Sequence, residues 1–189
     1  MSRYRCHTHS VAMTSPRDGC NCSIRRSARP WPVDEIDLVF ARYLLTHLPH
    51  PSEHLVSWTR LVRRGGIVMV EDDLEVTSTN PVFSDYLDIV RQVLSSAGGD
   101  LYVARSIRPK SLGLRTIEDR AVEVRPRTAL TARMFRLNLA SWQSRSPARP
   151  FTDRLHSMTL ELQELERSHE RDEIVWKLRQ LAVSARRAQ

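Results

Sequence analysis

Six polar residues follow two apolar runs of the sequence and could together form one chemical site. They are Arg42, Tyr43 and His47 after the first run and Glu71, Asp72 and Asp73 after the second. Crowded carboxyls repel one another, which raises their pKa values or attracts a cation, so the three acids could orient a substrate. The alternative is that they are solvated loop acids, one of which caps the following turn.

The two apolar runs predict parallel strands joined by a crossover helix. Residues 36–43 and 67–72 open with side chains that are apolar on both faces, as in buried parallel strands. Between them, Ser52 is a plausible N-cap, and Arg63 to Gly65 would end the helix. In open α/β sheets, ligands bind beyond the carboxyl ends of the strands, which is where the six polar residues lie.

Further helices and strands are expected downstream. Asn80 and Pro81 start a helix that the glycines at 98 and 99 end, and residues 120–126 read as a strand that Pro126 terminates. Residues 131–143 and 153–169 predict two amphipathic helices, the second facing the core or forming a dimer seam. Residues 173–187 fit either a helix or a final strand at 174–185, because the periodicity does not decide between them.

Composition narrows the class of protein. The chain has 189 residues, of which 41% are hydrophobic and 27% charged, as in one globular domain. No apolar run approaches the ~20 residues that span a bilayer, and the N-terminus lacks the apolar segment of a secretory signal. We therefore expect a cytoplasmic protein without membrane contact. The three cysteines all lie in the first 22 residues, which argues against a disulfide framework.

Most of the net charge belongs to the N-terminal region. Residues 1–33 carry six arginines and one aspartate, which is +5 of the formal +7, and show no helical or strand period. We predict a disordered basic tail over residues 1–33 and the fold over residues 34–189. The body beyond the tail is nearly neutral, so a nucleic-acid partner is not expected.

The same tail holds side chains that could bind zinc. They are Cys6, His7, His9, Cys20 and Cys22. Structural zinc sites usually space paired cysteines by roughly two to four residues, and this pattern does not match that template. We therefore expect no metal.

Residues 36–73 resemble the region between the fourth and fifth strands of class I S-adenosylmethionine-dependent methyltransferases. The strand opening is Ile36-Asp37-Leu38-Val39, the family's LxHL element is Leu45-Thr46-His47-Leu48, and the turn before strand five is Arg64-Gly65-Gly66. Arg64 stands where the family usually has proline. The resemblance weakens downstream but continues to about residue 187, where it favours a final strand.

The resemblance implies an incomplete Rossmann-like α/β domain, with a mostly parallel sheet, an antiparallel last strand and helices on both faces. It also implies S-adenosylmethionine as cofactor and a small molecule as methyl acceptor. Ala41, Arg42 and Tyr43 would line the methionine end of the cofactor. His47 would lie near the opening and could act as a base, although in this motif it more often packs or hydrogen-bonds locally.

The first half of the family's cofactor site has no counterpart in this sequence. The family carries a GxGxG loop after its first strand, whereas the six glycines of this chain form no GxG and only Gly19 precedes the first predicted strand. We therefore expect a truncated form that is possibly inactive. The alternative is a non-enzymatic interaction protein that uses the unpaired edge of strand 36–43 and the basic tail, and that edge could also self-associate.

Overall fold

The computed structural model describes residues 36–144, 146–168 and 174–185, all within one compact unit, Val33–Gln189. The predicted basic tail and its zinc candidates lie outside the described residues. The strands are β1 (Ile36–Arg42), β2 (Val62–Ser78), β3 (Leu114–Val124) and β4 (Ile174–Ala185). The α-helices are α1 (Pro51–Trp58), α2 (Pro81–Ser96), α3 (Thr128–Trp142) and α4 (Thr152–Arg167). Short 3₁₀ turns cover Leu45–His47, Val103–Arg105, Pro109–Leu112 and Ser146–Phe151.

The four strands form one sheet in the order β1-β2-β4-β3. β1 pairs parallel with β2, whereas β4 runs antiparallel to both β2 and β3. Three strands therefore point the same way and only the last is reversed, which confirms the predicted α/β class and the antiparallel last strand. The ambiguous segment at 174–185 is a strand.

Helices cover both faces of the sheet. On one face, α2, α3 and α4 enclose a core around Phe135, which stacks on Tyr86 with ring centroids 4.0 Å apart. On the other face, Leu55 of α1 and Val103 pack against Val70 and other strand residues. Side chains alternate between the two faces along each strand, so each core takes every second residue.

Strand β2 is longer than its apolar run predicts. The expected end near residue 72 is wrong, because β2 continues to Ser78. Its second half pairs with β4 in a register that runs from Asp73 opposite Leu178 to Ser78 opposite Ile174, with an irregularity between Asp73 and Glu75. The backbone bonds of this ladder hold polar residues in a strand that their side chains alone would not specify.

Two other boundaries also differ from the sequence prediction. β3 begins at Leu114 rather than near residue 120, because its charged first half pairs with the C-terminal end of β4. α1 begins at Pro51 after His50, so Ser52 is not its N-cap, and it ends at Trp58 because β2 already starts at Val62. The first residues of β2 and of β3 are mostly polar or glycine, so the sequence does not predict them as strand. Pairing with neighbouring strands gives them that conformation.

The later helices lie close to their predicted positions. Asn80 caps α2 by accepting a hydrogen bond from the Val82 backbone N–H at 2.9 Å, as predicted. In α4, Leu155, Met158 and Leu162 are at most 2% exposed and belong to the core. The core-facing interpretation of α4 is therefore confirmed, and the dimer seam is wrong.

The glycine pair before the apolar part of β2 allows β1 and β2 to meet closely. Gly65 has a φ of +88°, in the region that favours glycine, and a Cβ on Gly66 would lie 3.0 Å from the Asp37 carbonyl oxygen. Any other residue at position 66 would push the two strands apart at the start of their ladder.

Candidate functional site

The candidate site lies at the carboxyl edge of the sheet, where β1 ends. The chain turns sharply there, because Tyr43 adopts a left-handed conformation with a φ of 51° while its N–H still donates to the Glu71 carbonyl at 2.8 Å. A bulky residue in this region is uncommon and stores strain of roughly 1–2 kcal/mol. The turn ends β1 and leads the chain into the 3₁₀ turn at Leu45–His47.

Arg42 and Glu71 stand opposite each other on neighbouring strands and form an ion pair. Arg42 Nε lies 2.7 Å from Glu71 Oε1, and the carboxylate also accepts a 2.5 Å hydrogen bond from Gln180 Nε2 of β4. The Arg42 side chain is 53% exposed and that of Glu71 only 8%, so the pair reaches from the sheet to solvent. The guanidinium also lies 5.0 Å from the centre of the Tyr43 ring, within range of a cation–π contact.

Asp73 lies on the same face of the sheet as Glu71, one step further along β2. It accepts a hydrogen bond from the indole Nε1 of Trp176, the residue near the start of β4. Burial raises the pKa of Asp73 to about 6, while the bond from Trp176 and the charge of Arg42 oppose the rise. Asp73 therefore fixes the orientation of the Trp176 ring.

Asp72 points to the opposite face, because side chains alternate along β2. It is 2% exposed, and its Oδ1 accepts a long 3.4 Å bond from the Thr46 backbone N–H, whereas Oδ2 has no partner among the residues described. Burial raises the pKa of Asp72 to about 7. All three acids are buried, so the interpretation as solvated loop acids is wrong, and burial rather than repulsion is the main cause of the raised pKa values of Asp72 and Asp73.

The turn at Leu45–His47 is held from a neighbouring loop. Thr46 Oγ1 lies within hydrogen-bonding distance of the carbonyls of Asp100 and Leu101, at 2.7 and 3.0 Å, and Asp100 N donates back to the Thr46 carbonyl at 3.0 Å. A Cβ on Gly99 would lie 2.5 Å from that carbonyl, so the close approach requires glycine there. Asp72 and this loop together position the segment that follows Tyr43.

The structure separates some of the residues that the sequence grouped. Ala41 is 6% exposed and packs in the core on the Asp72 face, while His47 is exposed at the end of its turn. Arg42, Tyr43, Glu71 and Asp73 share the other face. The cofactor, substrate and base roles expected for these residues stay predictions.

A cavity of about 210 Å³ opens on the face of the sheet that carries Arg42 and Tyr43. Arg42, Tyr43 and Trp176 line it together with apolar side chains from three elements. These are Val124 at the end of β3, Leu130 and Met134 of α3, and Leu178 of β4. Trp176 and Leu130 were not predicted as site residues, because their places in the cavity depend on the course of β4 and α3 and have no local sequence signal.

The described part of the chain shows neither a metal site nor a membrane-spanning helix. No group of three or more His, Cys, Asp or Glu side chains there is arranged to hold a metal ion. No helix in the same part is long and apolar enough to cross a membrane.

Several solved structures are similar to this chain in fold, although their sequences are not. No family model and no curated protein matches it. Among solved structures, the cyclase SpnF has 16% identity and a TM-score of 0.41, over 85% of this chain and 54% of its own. The likeness is one of fold alone. A SAM-dependent methyltransferase from Thiobacillus denitrificans, in complex with S-adenosylhomocysteine, has 13% identity and a TM-score of 0.39, over 81% and 59%.

A third structure, the mycolic acid cyclopropane synthase CmaA1, has 11% identity and a TM-score of 0.38, over 80% of this chain and 56% of its own. The chain thus spans little more than half the length of each of these three proteins. At such identities and scores, the likeness assigns neither an activity nor a ligand.

Proposed function

We propose that this chain supplies one wall of a site for S-adenosylmethionine-dependent methylation of a small molecule. The observation that carries the proposal is the cavity at the carboxyl edge of the sheet, formed where β1 and β3 end and β4 begins. Ligands of open α/β sheets bind at this edge. The sequence resemblance of residues 36–73 to methyltransferases supports the choice of cofactor.

The candidate residues divide into two roles within this proposal. The backbone of Ala41 and the side chains of Arg42 and Tyr43 contact the methionine end of the cofactor, while Glu71 and Asp73 set the position of Arg42 and Trp176 around the acceptor. Asp72, on the opposite face of the sheet, holds the turn at Thr46 by accepting a hydrogen bond from its backbone N–H. His47, exposed at the end of that turn, is the candidate base for the acceptor's proton.

The cofactor site of this chain by itself is incomplete in this proposal, because the sequence contains no GxG loop. Such a loop lets the backbone approach the cofactor closely. We expect the chain alone to bind the cofactor weakly and to transfer methyl groups slowly or not at all. The cytoplasmic location expected from the sequence stays a prediction.

Saturation-transfer NMR with S-adenosylhomocysteine tests this function, because the method detects weak binding. Full-length protein should transfer magnetisation to the ligand, and Tyr43→Ala should reduce the transfer at least threefold. Arg91→Gln is the control, since Arg91 is exposed on α2, pairs with Asp88 of the same helix at 3.0 Å and does not line the cavity. Absence of transfer, or equal transfer from Tyr43→Ala, would contradict the function. Micromolar binding would contradict the incomplete cofactor site.

We propose that the edge of β1 pairs with a second copy of the chain. No strand among the described residues pairs with its outer side, and Leu38 and Phe40 are 54% and 55% exposed. Antiparallel pairing of two copies about Val39 places Leu38 opposite Phe40 of the second copy, twice by symmetry. Of the interaction roles considered from the sequence, this edge is the one that the described residues support.

A further inference from the structure

The cavity beside Tyr43 is apolar on most of its surface. Val124, Leu130, Met134 and Leu178 form aliphatic or thioether walls, and Trp176 adds an aromatic one. Water in such a space has few polar groups to bind, so an apolar guest that displaces it gains affinity. The chemistry of the walls therefore favours a guest whose body is a hydrocarbon ring.

The polar groups around the cavity are already engaged with the protein. Trp176 Nε1 donates to Asp73, and Thr131 Oγ1 donates to the Arg127 carbonyl at 3.2 Å. Arg42 is paired with Glu71 at 2.7 Å. A charged guest would exchange hydration for a site whose charges already neutralise each other, which is costly.

One polar position at the mouth can still recognise a guest. The Tyr43 and Arg42 side chains both line the cavity, and the Arg42 guanidinium lies 5.0 Å from the centre of the Tyr43 ring. Arg42 is more than half exposed and can accommodate a shared hydrogen bond. The mouth therefore suits a single oxygen that donates or accepts a hydrogen bond.

The volume of the cavity suits a guest with one ring. At about 30 Å³ per water molecule, 210 Å³ corresponds to roughly seven waters. That is the space of a six-membered ring with one or two small substituents. Aromatic walls and the Met134 sulfur stack well on a flat ring.

We infer that this cavity binds an uncharged, single-ring aromatic compound whose one oxygen faces Tyr43 and Arg42. That this compound is the methyl acceptor rests on the proposed function; its binding does not. The ring lies against Trp176 and Leu178, and the oxygen stays at the carboxyl edge of the sheet, where the cofactor would deliver its methyl group.

The test compares three probes of similar size by ligand-observed NMR on the full chain at pH 7.5. The probes are 4-methylphenol, which is neutral, benzoate, which is an anion, and benzylammonium, which is a cation. We expect 4-methylphenol to bind with a dissociation constant near the millimolar range and each charged probe to bind at least tenfold more weakly. Equal or tighter binding of either ion, or no binding of 4-methylphenol, would overturn the inference.

Two leucines of α3 provide a matched pair of variants. Leu130 lines the cavity and is 60% exposed, whereas Leu137, two turns later and 54% exposed, does not line it. Leu130→Asp should weaken 4-methylphenol binding at least fivefold, and Leu137→Asp should leave it unchanged. Because both side chains are exposed, neither variant should unfold the protein, and circular dichroism checks this. Equal loss in both variants would place the binding elsewhere.

The cofactor is absent from this experiment, so the two proposals can fail separately. If 4-methylphenol binds as expected and S-adenosylhomocysteine does not, the cavity inference stands and methyl transfer falls. If only S-adenosylhomocysteine binds, the cavity inference is overturned and the function survives.

Discussion

Asp72 is the residue whose environment departs most from that of an ordinary surface carboxyl. It is 2% exposed, one of its oxygens has no partner in the described part of the chain, and burial raises its pKa to about 7. In the unfolded chain the same group titrates near 4. Between pH 4 and 7 the folded protein therefore holds a proton that the unfolded chain has lost.

This difference makes Asp72 a source of pH-dependent stability. Its contribution is fully present below about pH 4, falls as the pH rises, and is lost above about pH 7. Each pKa unit corresponds to about 1.4 kcal/mol, so the effect reaches at most about 4 kcal/mol.

Asp72→Asn imitates the protonated carboxyl and should remove this dependence. We expect the variant to be more stable than the parent at pH 8 by about 1–3 kcal/mol and close to it at pH 4.5, since the amide keeps an acceptor for Thr46 N–H. Urea unfolding at both pH values measures the change. Asp119→Asn serves as a control, because Arg179 lowers the pKa of Asp119 and the variant should lose stability at pH 8. A constant difference between Asp72→Asn and the parent at both pH values would contradict the account.

At the scale of elements, β1 is the strand with the most exposed apolar surface. Leu38 and Phe40 of this strand are 54% and 55% exposed, and β1 contains no lysine or proline of the kind by which proteins block pairing at a sheet edge. Asp37 and Arg42 flank it and leave no net charge to keep two copies apart. We therefore expect this edge to pair with a second copy of the chain, as proposed above.

Phe40→Lys should reduce this association. We expect the parent to sediment as a dimer at tens of micromolar and Phe40→Lys as a monomer, because two ammonium groups would face the paired edge. Leu160→Lys is the matched control, since Leu160 is 53% exposed on α4, outside β1. A parent that stays monomeric at 100 µM, or a Phe40→Lys variant that dimerises like the control, would disprove pairing through β1.

The elements also show which parts of the fold the sequence can predict. The first strand, the presence of a crossover helix and the apolar part of β2 were predictable because apolar runs are local signals, whereas the start of β2 at Val62 was not. Residues 74–78 were not, because they are polar and their strand conformation depends on pairing with β4, about a hundred residues later. The last strand was settled only by the resemblance, since its residues suit two periods.

The candidate site divides in the same way. Arg42, Tyr43 and the three acids could be proposed because each follows an apolar run of the sequence. The expectation that the acids lie beyond the end of their strand is wrong, because β2 continues past them to Ser78. The three acids divide between two faces because of the strand register. Trp176 lines the cavity in an orientation that depends on its hydrogen bond to Asp73. Neither feature has a local sequence signal.

At the scale of the whole molecule, the strand ends gather the candidate residues at one edge. β1, β2 and β3 point the same way, and Tyr43, Asp73 and Val124 all lie toward their carboxyl ends. The cavity lies at this edge, where Arg42 and Tyr43, Val124 and Trp176 meet around it.

We propose that the chain meets the methyl-donor cofactor at this edge of the sheet. Amide NMR spectra of ¹⁵N-labelled full-length protein, titrated with S-adenosylhomocysteine, can locate the contact because every backbone N–H reports separately. We expect the largest shift changes at Arg42 to Thr46 and Glu71 to Asp73, with little change in α4. Changes confined to other regions, or none at millimolar ligand, would contradict it.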